Sequence, residues 1–185
     1  TLDHLTKGRV AWNVVSSYLN SAALNIGLDQ QMKHDERYDV ADEYMDVMYK
    51  LWEGSWEDGA VKRDKRSGVF TDGAKVHPIQ HNGKYFKVPG FHLCEPSPQR
   101  TPVIFQAGAS GRGRRFAAKH AEAMFILTTD VESARAVTTD IRDLAEQAGR
   151  SRDSIKIFTL LTVVTGQTDE AAERKYLEYL SYASP

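Results

Sequence analysis

The sequence predicts an α/β fold with parallel strands, and two observations carry that expectation. From Pro102 onward, short apolar runs alternate with amphipathic segments long enough to be helices. Strand-helix alternation of this kind joins parallel strands by crossovers. The runs are also nearly continuous in apolar character, and strands covered on both faces read this way. Four strand-helix units are countable along the chain. A (β/α)8 barrel takes eight, over roughly 250 residues. Four units also fit half of a doubly wound open sheet, so periodicity alone leaves both architectures open.

Taken in order, Thr1 to Thr6 reads as the end of a helix, stopped by Lys7-Gly8. Arg9 to Ser17 is an apolar run broken only at Asn13, expected as a buried strand. Tyr18 to Lys33 is a polar loop with room for a helical turn. The clearest helix follows from His34, with Tyr38, Ala41, Tyr44, Met45, Met48, Leu51 and Trp52 on one stripe, Asp35 as N-cap and Gly54 as terminator. An irregular insertion, about 54–100, carries a hairpin signal at Asn82-Gly83 between Val76–Gln80 and Lys84–Val88, punctuated by prolines. Pro102 to Gln106 is a strand, Ala107 to Gly113 a small-residue loop, Arg114 to Ala121 a helix and Ala123 to Leu127 a strand. Val131 to Ala148 is a helix whose face is Val131, Ala134, Val137, Ile141, Leu144 and Ala148. Ile155 to Val164 is a strand, and Asp169 to Tyr182 a helix. The whole, 1–185, reads as a single partial domain. Thr1 is not Met, and no strand closes the pattern before Pro185, so both ends are expected to be cut from a longer chain.

Composition narrows the function. The 185 residues are 41% hydrophobic and 26% charged, with 24 basic against 25 acidic side chains. Such a chain packs a core, and its net charge of −1 offers no field for nucleic acid or an anionic membrane. No apolar run approaches the roughly 20 residues of a membrane helix, and no export signal is visible. The single cysteine, Cys94, makes a reducing, cytoplasmic setting the expectation.

In strand-helix units, functional groups collect at the C-terminal ends of strands and the N-terminal ends of the helices that follow. That rule ranks Asn13 to Ser17, His34 to Tyr38 and Gly108 to Gly113 first. His34 and Tyr38 lie four apart on one helix face, near free backbone N–H groups and the positive end of the dipole. An imidazole and a phenol there can donate to a phosphate; equally, Tyr38 starts the core stripe and His34 is a loop residue. Gly108, Gly111 and Gly113 permit close backbone approach, and Ser110 either caps a helix or places its hydroxyl on a phosphate. The order G-x-x-G-x-G differs from the dinucleotide fingerprint. Arg112, Arg114 and Arg115 add positive charge. Asn13 points into a strand-end mouth or satisfies a neighbouring strand, the two readings standing equal. A metal site from His77, His81 and His92 is not expected, because the insertion places them at the opposite end of the strands. His4 and His120 read as surface or partly buried residues, and Cys94 lacks a partner for nucleophilic chemistry. Asp39, Asp42, Glu43 and Asp46 read as the solvated face of their helix. Trp52 and Trp56 read as a core edge. No catalytic residue is assigned.

Three stretches then carry a family resemblance: TLDHLTKGRVAWNVVSS at Thr1 to Ser17, HDERYDVADEYMDVMYKLWEGSW at His34 to Trp56, and the segment from Phe70 to Phe125 that contains HLCEPSPQRTPV and QAGAS. In combination they resemble the nitrilotriacetate monooxygenase and dibenzothiophene sulfone monooxygenase branch of the bacterial-luciferase-like flavin-dependent superfamily. The resemblance implies a partial, luciferase-like (β/α)8 TIM barrel. It also implies reduced FMN from a separate NAD(P)H:flavin reductase, with O₂ and a small organic substrate, organosulfur or otherwise xenobiotic. It casts His34, Tyr38 and Ser110 as FMN contacts, mainly at the phosphate, with Asn13 and Ser16 or Ser17 near the flavin. Relatives are much longer and commonly oligomeric, so a homo-oligomer is expected of the full-length protein. Two other expectations compete: a deazaflavin-dependent oxidoreductase of the same superfamily, and a catalytically silent partial barrel.

Overall fold

The computed structural model describes residues 1–183. Four parallel strands form one sheet in the order β1 (Ala11–Val14), β6 (Val103–Gln106), β7 (Ala123–Ile126), β8 (Lys156–Thr159). Helix α3 (His34–Tyr49) follows β1, α4 (Gly111–His120) follows β6, α5 (Val131–Gln147) follows β7, and α6 (Asp169–Ser181) follows β8. Short helices α1 (Leu2–Thr6) and α2 (Asn20–Asn25) precede and follow β1. The strands add in sequence order with no reversal, and α3, α4 and α5 share one core with Val14, Ile104, Met124 and Ile126 on a single face. A doubly wound sheet reverses its strand order and covers both faces. The serial, one-sided arrangement is that of a barrel segment.

The other face carries Phe105, Phe125 and Phe158, whose rings meet at 5.4 and 5.7 Å. Phe158 is 47% exposed in this segment. The outer strands are also shorter than their apolar runs. A run becomes strand only where a partner's backbone faces it. β1 spans four of the expected Arg9–Ser17, and β8 stops at Thr159, leaving Leu160, Leu161 and Val163 exposed.

Local chemistry explains most boundaries. Lys7 closes α1 in the left-handed conformation at φ 55°, and Gly8 follows at +80°. Helix α3 begins behind Lys33 rather than at Asp35, which instead lies in the first turn with Glu36, where acidic groups complement the dipole. Its last turn widens into a π-helix over Lys50–Gly54. Helix α4 starts three residues earlier than expected, because the Ser110 hydroxyl accepts the N–H of Gly113 at 3.0 Å. Asp130 and Thr168 cap α5 and α6 in the same way. On α5 the buried residues are Ile141 and Ala145, with Val137 packed beside them, while Val131 and Ala148 face outward. No residue of α6 is buried.

The insertion holds two hairpins, β2 (Val61–Asp64) with β3 (Val69–Thr71), which its sequence did not signal, and β4 (His81–Asn82) with β5 (Lys87–Val88). In the second hairpin Asn82 pairs with Lys87, so the connection is Gly83 to Phe86 and not a two-residue Asn82-Gly83 turn. Its loop is tied to α3: Glu43 accepts the backbone N–H groups of Tyr85 (2.9 Å) and Phe86 (2.8 Å). Glu43, Val47 and Lys50 share one helix face, and the hairpin that covers it explains why Val47, outside the predicted stripe, is buried.

Candidate functional site

The C-terminal ends of β1 and β6 and the first turn of α3 enclose a cleft of about 290 Å³, lined among others by Ser16, Ser17, His34, Arg37, Tyr38 and Gly108. His34 and Tyr38 stand with ring centroids 5.3 Å apart. The exposed His34 ring gives its Nδ1 proton to Asp35 at 2.6 Å. Tyr38 is buried under the Gly108 turn. Its hydroxyl accepts from Gln106 Nε2 at 3.4 Å, while Gln106 Oε1 accepts the N–H of Gly108. That hydroxyl crowds two glycines. A methyl group at Gly113 would lie 2.7 Å from it and 2.6 Å from the carbonyl oxygen of Gly108. A methyl at Gly108 would overlap it and come within 2.6 Å of Gln106 Nε2. These positions need glycine for space. Ser110 does cap its helix, and the hydroxyl proton stays free to donate because only its oxygen is engaged.

Beneath the cleft, α3 and α4 lock through polar groups that the sequence pattern assigned to solvent. Asp42 binds Arg112 at 2.5 Å, His120 Nε2 at 2.7 Å and Lys119 at 3.3 Å. Partial burial pushes this carboxyl up, but the bonds from His120 and Arg112 outweigh it and hold it well below the usual carboxylate range. His120 is buried, contrary to the surface or partly buried reading. Asp42 is acceptor-only, so Nε2 carries the proton, and Nδ1 meets the Tyr49 hydroxyl at 3.0 Å. Burial, with Glu122 nearby, pushes that phenol up to about 12. Two arginines of the AGASGRGR loop are thereby spent. Arg112 pairs with Asp39 and Asp42, and Arg114 pairs with Asp140 at 2.7 Å.

Asn13 does not join the first cleft. It is exposed on β1 and lines an adjoining cavity of about 510 Å³, largely apolar, with Trp12, Ala41, Tyr44 and Phe86. Arg37, Ser16 and Ser17 line both spaces. Arg37 and Gln106 were not singled out from sequence. Arg37 lies inside the HDERY stretch, one residue before Tyr38. Among the described residues no cluster of three or more metal-binding side chains exists. His77 pairs with Glu57 at 2.7 Å, and His92 with the carbonyl of Cys94. His81 is buried between Glu43 (3.1 Å) and Lys50 (3.0 Å). Cys94 is exposed and lies, with Trp52 and Trp56, around a cavity that includes Val10 and Pro102, at the N-terminal strand ends. The insertion is thus not confined to that end, since Phe86 reaches the cavity beside Ser17. Among the described residues no helix is long and apolar enough to cross a membrane.

Comparison with known proteins accords with this geometry. The chain is 83% identical over its whole length to the dimethyl-sulfide monooxygenase of Hyphomicrobium sulfonivorans, of which it spans 38%. It is 39% identical over 95% of its length to nitrilotriacetate monooxygenase component A of Aminobacter aminovorans, of which it spans 39%. The crystal structure of DmoA from Hyphomicrobium sulfonivorans superposes with a TM-score of 0.86, over 100% of this chain and 40% of that one. The fold is therefore part of a luciferase-like TIM barrel, about two-fifths of the length of the relatives it matches. The model of the luciferase-like monooxygenases matches residues 1–184, and the chain belongs to that family.

Proposed function

We propose that the protein containing this segment is an FMNH₂-dependent monooxygenase of a two-component system. The observation that carries the reading is the cleft itself: His34, Tyr38 and the Ser110-capped glycine turn converge where βα units hold ligands. The residues fit the phosphate end of a mononucleotide. Gly108 and Gly113 let the turn pack directly on Tyr38 and Gln106 at the N-terminus of α4, and Ser110 retains a proton to donate. Tyr38 braces the turn from below and His34 lines the cleft beside it. Asn13, Ser16 and Ser17 face the space where the flavin ring would extend. When bound, reduced FMN supplies the two electrons that let one oxygen atom of O₂ enter the substrate and the other leave as water. The chain's own work is to bind, orient and exclude water with the apolar walls of the adjoining cavity.

The substrate we infer is a small organosulfur compound. The 83%-identical relative is named for dimethyl sulfide, and the adjoining cavity is walled by Trp12, Ala41, Tyr44 and Phe86 and carries no carboxylate. A separate NAD(P)H:flavin reductase supplies the reduced flavin, in keeping with a relative named as one component of a larger system. A homo-oligomer in the cytoplasm completes the reading. The test is an FMN titration of this chain beside one extended at both ends. Binding by the extended chain supports the proposal, and binding by neither overturns it.

A further inference from the structure

Hairpin β2–β3 contributes no residue to the buried core, and its two outer edges are unlike. Among the described residues β2 and β3 pair only with each other, so each presents a second, unpaired edge open to another strand. The β2 edge is guarded. Exposed Lys62 and Arg63 lie along it, and its register shifts between Val61 and Asp64, where Arg63 adopts φ 47°. Charge and a bulge of this kind keep other strands from docking. The β3 edge carries no such guard. Val69–Thr71 holds no charge, and Val69 and Phe70 are 43% and 56% exposed. Its backbone also faces outward at the right places. Asp72 donates its N–H to Ala60 across the ladder at 2.8 Å. Successive residues of an antiparallel strand alternate in this respect, so Thr71, and Val69 two before it, turn N–H and C=O away from β2.

We propose that the β3 edge docks a second copy of this chain, the two strands running antiparallel about a two-fold axis at Phe70. This rests on the homo-oligomer reading above and names the surface that serves it. A contact across a two-fold axis must be self-complementary, and β3 is. With Phe70 opposite its own copy, Val69 falls opposite Thr71 of the other chain. Both of that pair's N–H···O bonds can then form, and the axis repeats them. The Phe70 rings meet at a non-hydrogen-bonded position, where side chains approach most closely. Gly68 comes opposite Asp72 and leaves room there. Charge is complementary in the same register, because Lys65 and Arg66 of one copy run toward Asp72 of the other. Among the described residues neither cation has a carboxylate within ion-pair distance, and Asp72 is in no ion pair. The Asp72 carboxylate accepts the N–H of Ala74 and keeps further oxygen lone pairs for a cation. Self-pairing through β2 would instead set Lys62 and Arg63 against their own copies, and like charges directly opposite oppose association.

The experiment uses the full-length protein, with its mass in solution read by light scattering after gel filtration. Phe70→Lys sets like charges on the axis without disturbing a buried side chain. It is expected to lower the mass, raising the dissociation constant at least roughly tenfold, while circular dichroism stays as in the wild type. Thr71→Pro removes an outward N–H, which an edge strand tolerates within its own hairpin, and should act in the same direction. The register has its own test. In a Cys94→Ser background, Phe70→Cys is expected to give a covalent dimer on oxidation with diamide. Facing Cα atoms at a non-hydrogen-bonded position lie about 4.5 Å apart, within disulfide reach. Lys62→Cys in the same background should stay uncrosslinked. The cross-link decides the matter where Phe70→Lys fails to fold. A wild-type oligomer whose mass Phe70→Lys leaves unchanged overturns the inference, as does cross-linking no faster from Phe70→Cys than from Lys62→Cys. A monomeric wild type instead overturns the homo-oligomer reading on which the inference stands.

Discussion

Replacing Gly108 by alanine tests whether Tyr38 wedges the turn at the end of β6. The new methyl group would overlap the Tyr38 hydroxyl and approach Gln106 Nε2 to 2.6 Å. Carbon and oxygen in unforced contact stay about 3.3 Å apart. One partner must therefore move by well over half an ångström. Tyr38 and Gln106 are 6% and 3% exposed, and Phe116 stands 5.6 Å behind the Tyr38 ring, so neither has space to yield. Overpacking of this size costs about 1–3 kcal/mol. Tyr38→Phe removes the atom that clashes, at its own cost of about 1 kcal/mol for the lost hydrogen bond. The double variant is expected to be at least about 1 kcal/mol more stable than the sum of the two single changes, well beyond ordinary additivity error. Gly113→Ala supplies the contrast. There the nearest atom is the backbone oxygen of Gly108 at 2.6 Å, which Tyr38→Phe leaves in place. Urea denaturation of the three single and two paired variants in the full-length protein measures both cycles. Additive behaviour for Gly108→Ala with Tyr38→Phe would refute the wedge.

Three further expectations follow from the same contacts. Ser110→Ala should weaken FMN by about 1–3 kcal/mol, for a charge-assisted bond, and lower stability by about 1 kcal/mol through the lost cap; fluorescence titration and urea denaturation separate the two. Asp42, whose carboxyl is depressed in the fold, contributes stability that is complete above the unfolded carboxylate value near ~4 and is lost as pH falls below it through the folded value. Denaturation followed from pH 5 downward should therefore show a loss that Asp42→Asn flattens, and identical slopes would count against the His120–Asp42–Arg112 lock. His77→Ala, at an exposed ion pair with Glu57, should leave stability within ~0.5 kcal/mol and flavin affinity intact, whereas His81→Ala should cost ~1–3 kcal/mol by stranding Glu43 and Lys50; equal effects would contradict the burial of His81.

The parts of the site legible from sequence were those fixed by local rules. Ser110, His34 and Tyr38 sit at the first turns of helices behind strands, and topology alone ranks such positions. What escaped was set by how α3 leans on α4. Asp42 and Glu43 look like a solvated face when only one helix is considered. Their partners, His120 and the β4–β5 loop, arrive from far along the chain, and no periodicity within α3 encodes that. The apolar runs overstated β1 and β8 for a related reason. Hydrophobicity marks what ought to be covered, whereas a strand exists only where another backbone pairs with it. Arg37 is not legible because the AGASGRGR loop holds more arginines, and only the packing of α3 on α4 and α5 shows that Arg112 and Arg114 are paired.

The serial order of the sheet has a kinetic side. Pairing β6 with β7 closes only the short segment from Gln106 to Ala123, and β7 with β8 the stretch from Ile126 to Lys156. Pairing β1 with β6 must close everything from Val14 to Val103, insertion included. By loop entropy alone that costs roughly 1.5 kcal/mol more than joining β6 to β7. Folding should therefore nucleate in the β6–α4–β7–α5–β8 half, where sequence neighbours are also spatial neighbours. The cleft is then assembled last, when β1 and α3 dock and bring Ser17, His34 and Arg37 to a turn already in place. Its two walls have different histories, and during synthesis the residues made first wait for those made later before they can hold anything.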